Sequence, residues 1–351
     1  MSEKGNKIIS LRFNHSNTLL YISTTQGFRV FRLEDSKIIS RRDRILSINF
    51  IGGFNFAVPL CDSQKVGLVG SPENPKFPLN VLNIWDEYQA KFLKALDFNE
   101  QIVNLAVRRS VIAVVLISSV QLVDTNKFEV IEKIDKQENR LGCFAMSKDG
   151  PIVLAFPGTQ QGDIIVRNLG DGSYVEKKVH ENSITCLSVN NAGTIGASAS
   201  EYGTIIRVFA TSSISVLHEL RRGSLSAQIL SLNFSPSSHY LACCSTKKTI
   251  HIFNIQNDSG MFSPWLPKMF QLSKSQLQIN LSPDISWTCE YSQSGASICF
   301  TEDECVYIAG LDGKVTCYQL TNEQLTLKSS NWYLDFEEEL VEDECEWTSL
   351  E

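Results

Sequence analysis

Short alternating strands separated by polar turns recur along the chain. The clearest examples are residues 10–33, 186–210 and 231–255. Each reads as a strand, a polar turn, a strand of small residues, a second turn, and an alternating strand that ends near Val-Phe or Ile-Phe. Weaker copies begin near Leu46, Ile102, Gly142 and Cys289. This self-similarity predicts a repeat architecture.

The size of the repeat favours a propeller. Seven units in 351 residues average about 50 residues each, the span of a four-stranded blade. Helical periodicity over ten or more residues is missing, and turn residues bound the strands. We therefore predict an all-β fold, a seven-bladed β-propeller of four-stranded antiparallel blades, over residues 1–330. A two-sheet sandwich would not explain the repeat.

Two segments interrupt the regular pattern. Residues 71–80 form a proline-rich stretch within the second unit. A longer stretch, 256–286, separates the third strand of the sixth unit from the seventh unit, and we predict a long loop with an apolar tip. Prolines at 264 and 267 argue against a continuous helix there. Its bulky apolar residues are Met261, Phe262, Trp265, Leu266, Met269 and Phe270.

The net charge of −7 is concentrated at one end. Residues 331–351 contain nine acidic residues and no basic one, which predicts a solvated acidic tail, with partner binding as the alternative. The rest of the chain has 32 basic and 30 acidic residues, so the predicted propeller carries about +2 and is compatible with an anionic ligand.

The opening residues and the cysteines of the sequence indicate the compartment in which the protein works. The opening MSEKGNK lacks the apolar stretch of a secretory signal, and the longest aliphatic run, 111–117, is too short to span a bilayer. We expect a cytosolic protein that contacts membranes only peripherally. Ten cysteines without a Cys-x-x-Cys pair indicate apolar blade residues rather than disulfides or zinc ligands. No metal or cofactor is predicted.

Two adjacent arginines stand out in the segment ELRRGS, residues 219–224. Consecutive residues of a strand point to opposite sides, so Arg221 and Arg222 are suited to two separate pockets. Gly223 allows a sharp turn or room for a ligand. Guanidinium groups donate bidentate hydrogen bonds that suit phosphate. Two further sets have the order Ser-x-x-x-Thr followed by a basic residue. They are Ser200, Thr204 and Arg207, with His180 nearby, and Ser245, Thr249 and His251.

These motifs together resemble the PROPPIN family, the WIPI-like phosphoinositide-binding propellers, over nearly the whole chain. The resemblance is carried by FNHSNTLLYISTTQGFRVF, VGLVGSPENPKFPLNVLNIWDE, and LHELRRG followed by SLNFSPSSHYLACC and TIHIF. The other arginine pairs, at 41–42 and 108–109, lack such neighbours and are interpreted as surface charge. One departure is Lys248, where many members of the family have glycine before the threonine.

The resemblance implies binding of phosphatidylinositol 3-phosphate and phosphatidylinositol 3,5-bisphosphate. The residues implied at the first head-group site are His180, Ser200, Thr204, Arg207 and Arg221. Those implied at the second are Arg222, Ser245, Thr249 and His251. The family is thought to insert its long loop into membranes, which implies insertion of Phe262, Trp265, Leu266, Met269 and Phe270. The alternative is that this loop folds back onto blade 6 or 7.

Lys177 and Lys178 are expected to add long-range attraction to an anionic leaflet. The resemblance further implies a role in autophagy, on phagophore, pre-autophagosomal, endosomal and vacuolar membranes, with conjugation or lipid-transfer proteins as partners.

The two rival functions are an enzyme and a propeller that only binds proteins. An enzyme is disfavoured because no His-Glu-x-x-His, Gly-x-Ser-x-Gly or phosphate-cradling glycine loop occurs. A propeller that only binds proteins would not need the phosphate-binding residue types, but it remains the alternative function. Nucleic acid is not expected as a partner, since the basic residues form no stripe with interleaved aromatics.

Overall fold

The computed structural model describes residues 6–42, 52–60, 63–247, 249–255, 273–274, 277–280, 296–321 and 324–333. The regular structure in these ranges is entirely β. Within them, no helix is long and apolar enough to cross a bilayer.

The strands form seven sheets, and the predicted seven-bladed propeller is confirmed. Blade 1 contains β1 (Ile8–Phe13), β2 (Leu19–Thr24), β3 (Gly27–Arg32) and β4 (Lys37–Arg41). Blade 2 contains β5 (Phe54–Pro59), β6 (Lys65–Gly70), β7 (Val81–Asp86) and β8 (Lys91–Asp97). Blade 3 contains β9 (Ile102–Arg108), β10 (Val111–Leu116), β11 (Ser119–Asp124) and β12 (Val130–Asp135). Blade 4 contains β13 (Ala145–Met146), β14 (Val153–Pro157), β15 (Asp163–Asn168) and β16 (Tyr174–Lys178).

The remaining blades include the candidate site. Blade 5 contains β17 (Ile184–Val189), β18 (Ile195–Ser200), β19 (Ile205–Ala210) and β20 (Ser215–Arg221). Blade 6 contains β21 (Ile229–Phe234), β22 (Tyr240–Ser245), β23 (Thr249–Asn254) and β25 (Leu277–Asn280), and β24 (Ser273–Lys274) pairs in parallel with β20. Blade 7 contains β26 (Ala296–Phe300), β27 (Cys305–Gly310), β28 (Lys314–Thr321) and β29 (Gln324–Trp332).

The core lies between the blades. The described hydrophobic residues form seven clusters, one at each junction between neighbouring blades. Inner strands are therefore buried on both faces, which explains continuous apolar runs such as β10, whose six residues are all buried. Strand β8 is the edge strand of the blade 2 sheet, and its residues are mostly exposed to solvent.

The cysteines behave as the small apolar residues that the sequence predicted. Those in the described part of the chain are free thiols, buried or half-buried. Cys243 packs in the cluster between blades 5 and 6, while Cys244 packs in the cluster between blades 6 and 7. The adjacent pair thus serves the two opposite faces of β22.

The structure refines two predicted boundaries. Strands β24 and β25 lie inside the stretch 256–286 that the sequence assigned to a loop, so blade 6 takes its fourth strand from beyond the apolar segment. The propeller also extends past residue 330, because β29 ends at Trp332 and Tyr333 is fully buried. Residues 334–351, the rest of the predicted acidic tail, lie outside the described residues.

Tyr333 closes the ring between blades 7 and 1. Its ring contacts Phe31 edge-on at 6.1 Å, and its hydroxyl donates to the carbonyl oxygen of Gly310. Its backbone N–H donates to the carbonyl oxygen of Gly313 at 2.8 Å. The last described residue is therefore part of the core that joins the two ends of the propeller.

We expect Tyr333→Ala to lower the free energy of unfolding by about 3–5 kcal/mol, because it leaves a cavity at this junction. The matched control is Trp332→Ala, since Trp332 is adjacent and 52% exposed. It should cost less than about 1 kcal/mol. Urea unfolding of both variants measures the difference, and equal losses would contradict the assignment of Tyr333 to the closing contact.

Candidate anion-binding sites at blades 5 and 6

The arginine pair lies where the chain leaves blade 5. Arg221 is the last residue of β20, and Arg222 begins the link 222–228 that leads to β21 of blade 6. The N–H of Arg222 donates to the carbonyl oxygen of Thr204 at 2.9 Å. The pair is therefore held against the turn between β18 and β19.

The packing of blade 5 fixes the face that each side chain occupies. Ala199, Val208 and Leu220 belong to the hydrophobic cluster between blades 5 and 6. Since neighbouring residues of a strand alternate between its faces, the residues beside them face blade 4. This set contains three residues of the first predicted site and two that the sequence did not single out: Ser198, Ser200, Arg207, Glu219 and Arg221.

Arg207 is the centre of a hydrogen-bond network on this face. Its Nε donates to Oε1 of Glu219 at 2.6 Å. Its Nη1 donates to the carbonyl oxygen of Val179 at 2.9 Å and lies 3.2 Å from Nδ1 of His180. These contacts fix the guanidinium plane and bring His180, from the link between blades 4 and 5, into the first site.

His180 acts on Arg207 rather than on solvent. A guanidinium can only donate, so Nδ1 of His180 is the acceptor and its Nε2 carries the proton. That Nε2 lies 2.9 Å from Oγ of Ser198, to which it donates. The imidazole is 3% exposed, and both of its nitrogens are occupied. His180 therefore positions Arg207.

Arg221 differs from Arg207 in its surroundings. It is half-buried, and no hydrogen bond or ion pair of its guanidinium occurs among the described residues. Glu219 offsets the charge of Arg207, so Arg221 supplies most of the uncompensated positive charge on this face. Thr204 is half-buried in the turn next to it.

The second predicted set lies on the opposite side of blade 5. Cys243 faces the cluster between blades 5 and 6, and His251 is its partner across the β22–β23 register. Ser245 and Thr249 are each two residues away on the same strands, so alternation places them on the same face. These three residues of the second site therefore face blade 5.

Arg222 reaches this second face. It is 7% exposed, and its Nε donates to the carbonyl oxygen of Gly203 at 2.9 Å. Its Nη2 donates to the carbonyl oxygen of Leu225. The positive charge of Arg222 also lowers the pKa of His251, which places the two side chains in one electrostatic environment.

The second face contains an unsatisfied polar atom. Oγ of Ser245 is buried and has no hydrogen-bond partner among the described residues. Thr249 Oγ1 lies 3.1 Å from Nε2 of His251. A buried hydroxyl without a partner costs stability unless a ligand or water satisfies it. Lys248 lies outside the described residues.

Strand alternation thus assigns Arg221 to the blade 4 side, and the hydrogen bonds of Arg222 hold it on the blade 6 side. Residues His180, Ser200, Arg207 and Arg221 lie on the blade 4 side, and Ser245, Thr249, His251 and Arg222 lie on the blade 6 side. The sequence missed Ser198 and Glu219 because their roles come from cross-strand register, which pairs Arg207 with both. The predicted insertion residues (Phe262, Trp265, Leu266, Met269 and Phe270) lie outside the described residues.

The flanking lysines are only partly available to attract an anionic surface. Lys177 and Lys178 are both exposed. However, Nζ of Lys178 lies 2.8 Å from Oε2 of Glu181. Lys177 is therefore the better candidate for long-range attraction.

Both site histidines are neutral at physiological pH. Burial, followed by the nearby charge of Arg207, lowers the pKa of His180 to about 4. Burial, followed by the charge of Arg222, lowers the pKa of His251 to about 4. The arginines therefore carry the positive charge, and the imidazoles act as neutral hydrogen-bonding groups.

Acid should destabilise the protein through these histidines. Each binds a proton in the unfolded chain below about pH 6.5, but in the folded chain only near pH 4. Lowering the pH from about 7.5 to about 5 should therefore reduce the free energy of unfolding by about 2 kcal/mol per histidine. Urea unfolding of wild type, His180→Gln and His251→Gln at both pH values tests this. Each variant should show a smaller pH-dependent loss, and a loss equal to that of wild type would contradict the neutral state.

Comparison with known proteins identifies the family of this chain. A family model described as PROPPIN matches residues 8–288. The chain belongs to the PROPPIN family. SVP1-like protein 2 of Neurospora crassa is 32% identical to this PROPPIN over 254 residues, which are 72% of this chain and 57% of the Neurospora protein. The chain thus matches little more than half the length of that relative.

Two other matches extend over more of the chain. Autophagy-related protein 18e of Arabidopsis thaliana is 27% identical over 321 residues, 88% of this PROPPIN and 82% of the plant protein. The structure of KlAtg21 in complex with the coiled coil of AgAtg16 has a TM-score of 0.76 at 22% identity, covering 93% of this chain and 99% of that one. The structural match shows a common fold. The PROPPINs are autophagy-related, phosphoinositide-binding propellers that associate peripherally with membranes.

Proposed function

We propose that this PROPPIN binds phosphatidylinositol 3-phosphate and phosphatidylinositol 3,5-bisphosphate through two separate head-group sites, one on each side of the end of β20. The first uses Arg221 and Arg207, with Ser200, Thr204 and His180 in support. The second uses Arg222, with Ser245, Thr249 and His251. The observation that carries the proposal is the placement of two adjacent arginines on opposite faces, each of which also carries hydroxyl groups and a neutral histidine.

The chemistry of each face suits a phosphorylated inositol. Guanidinium groups donate charge-assisted hydrogen bonds to phosphate oxygens. Hydroxyl groups can bind both phosphate oxygens and ring hydroxyls. Oγ of Ser245, which is buried and has no partner in the described part of the chain, is a polar group on the Arg222 face that such a ligand would satisfy. A propeller that only binds proteins would not need this arrangement.

Two sites on one molecule strengthen membrane attachment. Once one head group is bound, the second binding event is effectively intramolecular, and avidity can exceed either single affinity by about 10²-fold or more. The apolar residues of 256–272 (Phe262, Trp265, Leu266, Met269 and Phe270) would add insertion into the bilayer. That part of the proposal rests on the sequence alone.

Partner recruitment is the second part of the proposed role. KlAtg21 is described in complex with the coiled coil of AgAtg16, an autophagy protein. By analogy, this PROPPIN would bring conjugation or lipid-transfer machinery to phagophore, endosomal and vacuolar membranes that display the lipid. It would act by binding rather than by catalysis.

We expect Arg221→Thr combined with Arg222→Thr to abolish binding to vesicles that carry phosphatidylinositol 3-phosphate. Losing the charge-assisted hydrogen bonds of both sites should weaken binding by about a hundredfold or more. Vesicle flotation measures the loss, and flotation at the wild-type level would refute the proposal.

The control must remove the same charge elsewhere. Arg109→Thr with Arg140→Thr does so at two exposed arginines away from blades 5 and 6. This variant should float as wild type does. Equal losses in both double variants would show that only net charge matters. Because Arg222 also holds two backbone carbonyls, the thermal unfolding of each variant must be compared with that of wild type.

A further inference from the structure

Two exposed apolar side chains lie in the loops around Arg222. Tyr202 is 53% exposed and lies in the turn 201–204 between β18 and β19. Leu225 is 68% exposed and lies in the link 222–228 between blades 5 and 6. Neither belongs to the two groups of head-group residues. Exposed apolar groups mark a contact surface when they lie together, whereas single ones are common on any protein.

Arg222 ties the two loops together. Its Nε donates to the carbonyl oxygen of Gly203, beside Tyr202, and its Nη2 donates to that of Leu225 itself. The loops also bond directly, because the N–H of Ala227 donates to the carbonyl oxygen of Tyr202 at 3.0 Å. The backbones of the two loops are therefore fixed relative to each other and to the guanidinium.

Backbone conformation also shows that the turn 201–204 is held in one position against the link 222–228. Gly203 has a φ of +56°, and its N–H donates to the carbonyl oxygen of Ser200 at 2.9 Å. A Cβ at this position would collide with the carbonyl oxygen of Ala227. The turn 201–204 is thus packed tightly against the link 222–228. The exposure of Tyr202 therefore follows from the backbone conformation of this turn.

The position of the two tips favours a bilayer as the occupant. Tyr202 lies between Ser200 and Thr204 of the first site, and Leu225 follows Arg222 of the second by three residues. A lipid whose head group is bound at either site has its glycerol and acyl chains nearby. Tyrosine suits the membrane interface because it has an apolar ring and a polar tip, and leucine suits the acyl boundary.

The charges of the two loops are also compatible with contact with a bilayer. Residues 222–228 contain no acidic side chain, and the one acidic residue of the turn, Glu201, is exposed. Glu201 can therefore remain in the aqueous head-group layer while Tyr202 beside it reaches the interface.

We propose that Tyr202 and Leu225 form a membrane-contact patch that touches the bilayer between the two head-group sites. The patch belongs to the folded blades and does not depend on the long segment 256–272. This inference rests on the proposed lipid-binding function, which supplies the orientation. The turn 201–204 and the link 222–228 would then contact the bilayer as well as position Arg222.

The test compares two matched double variants. Tyr202→Ser with Leu225→Ser removes the patch. Tyr88→Ser with Leu327→Ser removes a tyrosine and a leucine that are 78% and 61% exposed, on blades 2 and 7. Two ligands are titrated: phosphatidylcholine vesicles doped with phosphatidylinositol 3-phosphate, and soluble inositol 1,3-bisphosphate, which reports the head-group sites alone.

The patch variant should bind the doped vesicles at least about tenfold more weakly than wild type, because two apolar side chains no longer leave water on binding. Its affinity for soluble inositol 1,3-bisphosphate should stay within about twofold of wild type. The Tyr88/Leu327 variant should match wild type with both ligands.

Three results would overturn the inference. Unchanged vesicle affinity in the patch variant would show that the tips do not meet the bilayer. Equal loss for vesicles and soluble ligand would show that they act only by shaping the head-group sites. Equal loss of vesicle binding in both double variants would show that any exposed apolar pair has this effect. Failure of the proposed function is separate, because wild type itself would then not bind the soluble ligand.

Discussion

Side chains on a β-strand alternate between its two faces, and blade 5 lies between two other blades. Any two adjacent residues at the end of β20 must therefore face different neighbours. Leu220 packs towards blade 6, Arg221 faces blade 4, and Arg222 turns back towards blade 6 and bonds to the carbonyl oxygens of Gly203 and Leu225. The separation of the two candidate sites follows from this constraint, and so does the grouping of the hydroxyls and histidines around each arginine.

Burial decides the electrostatics of both sites. It keeps His180 and His251 neutral, so the positive charge of each site comes from its guanidinium groups. Glu219 offsets Arg207, so the charge left for an anion on the first face lies mainly at Arg221. Arg222 has a structural task as well, since it joins the turn after β18 to the link after β20. The charge of the second site and the arrangement of the loops that carry Tyr202 and Leu225 therefore depend on one side chain, that of Arg222.

The sequence predicted the propeller because the repeat follows from local patterning, and it predicted the opposite faces of Arg221 and Arg222 because alternation is a property of the backbone. It could not predict that Ser198 and Glu219 complete the first site, since cross-strand register depends on bulges and turns that are set by packing. It also assigned β25 to a loop, because its pairing with β23 crosses a long interruption in the chain. The sequence also places the end of the propeller three residues early, since Tyr333 is identified as core by tertiary contacts with Phe31, Gly310 and Gly313.

The most direct test of two separate sites is the stoichiometry of soluble inositol 1,3-bisphosphate, measured by isothermal titration calorimetry. Wild type should bind two molecules per chain. Arg221→Thr should keep the site on the blade 6 side, and Arg222→Thr should keep the site on the blade 4 side, so each variant should bind one. A single molecule bound by wild type, or the loss of both sites in the Arg221→Thr variant, would show that the arginines share one pocket and would contradict the account.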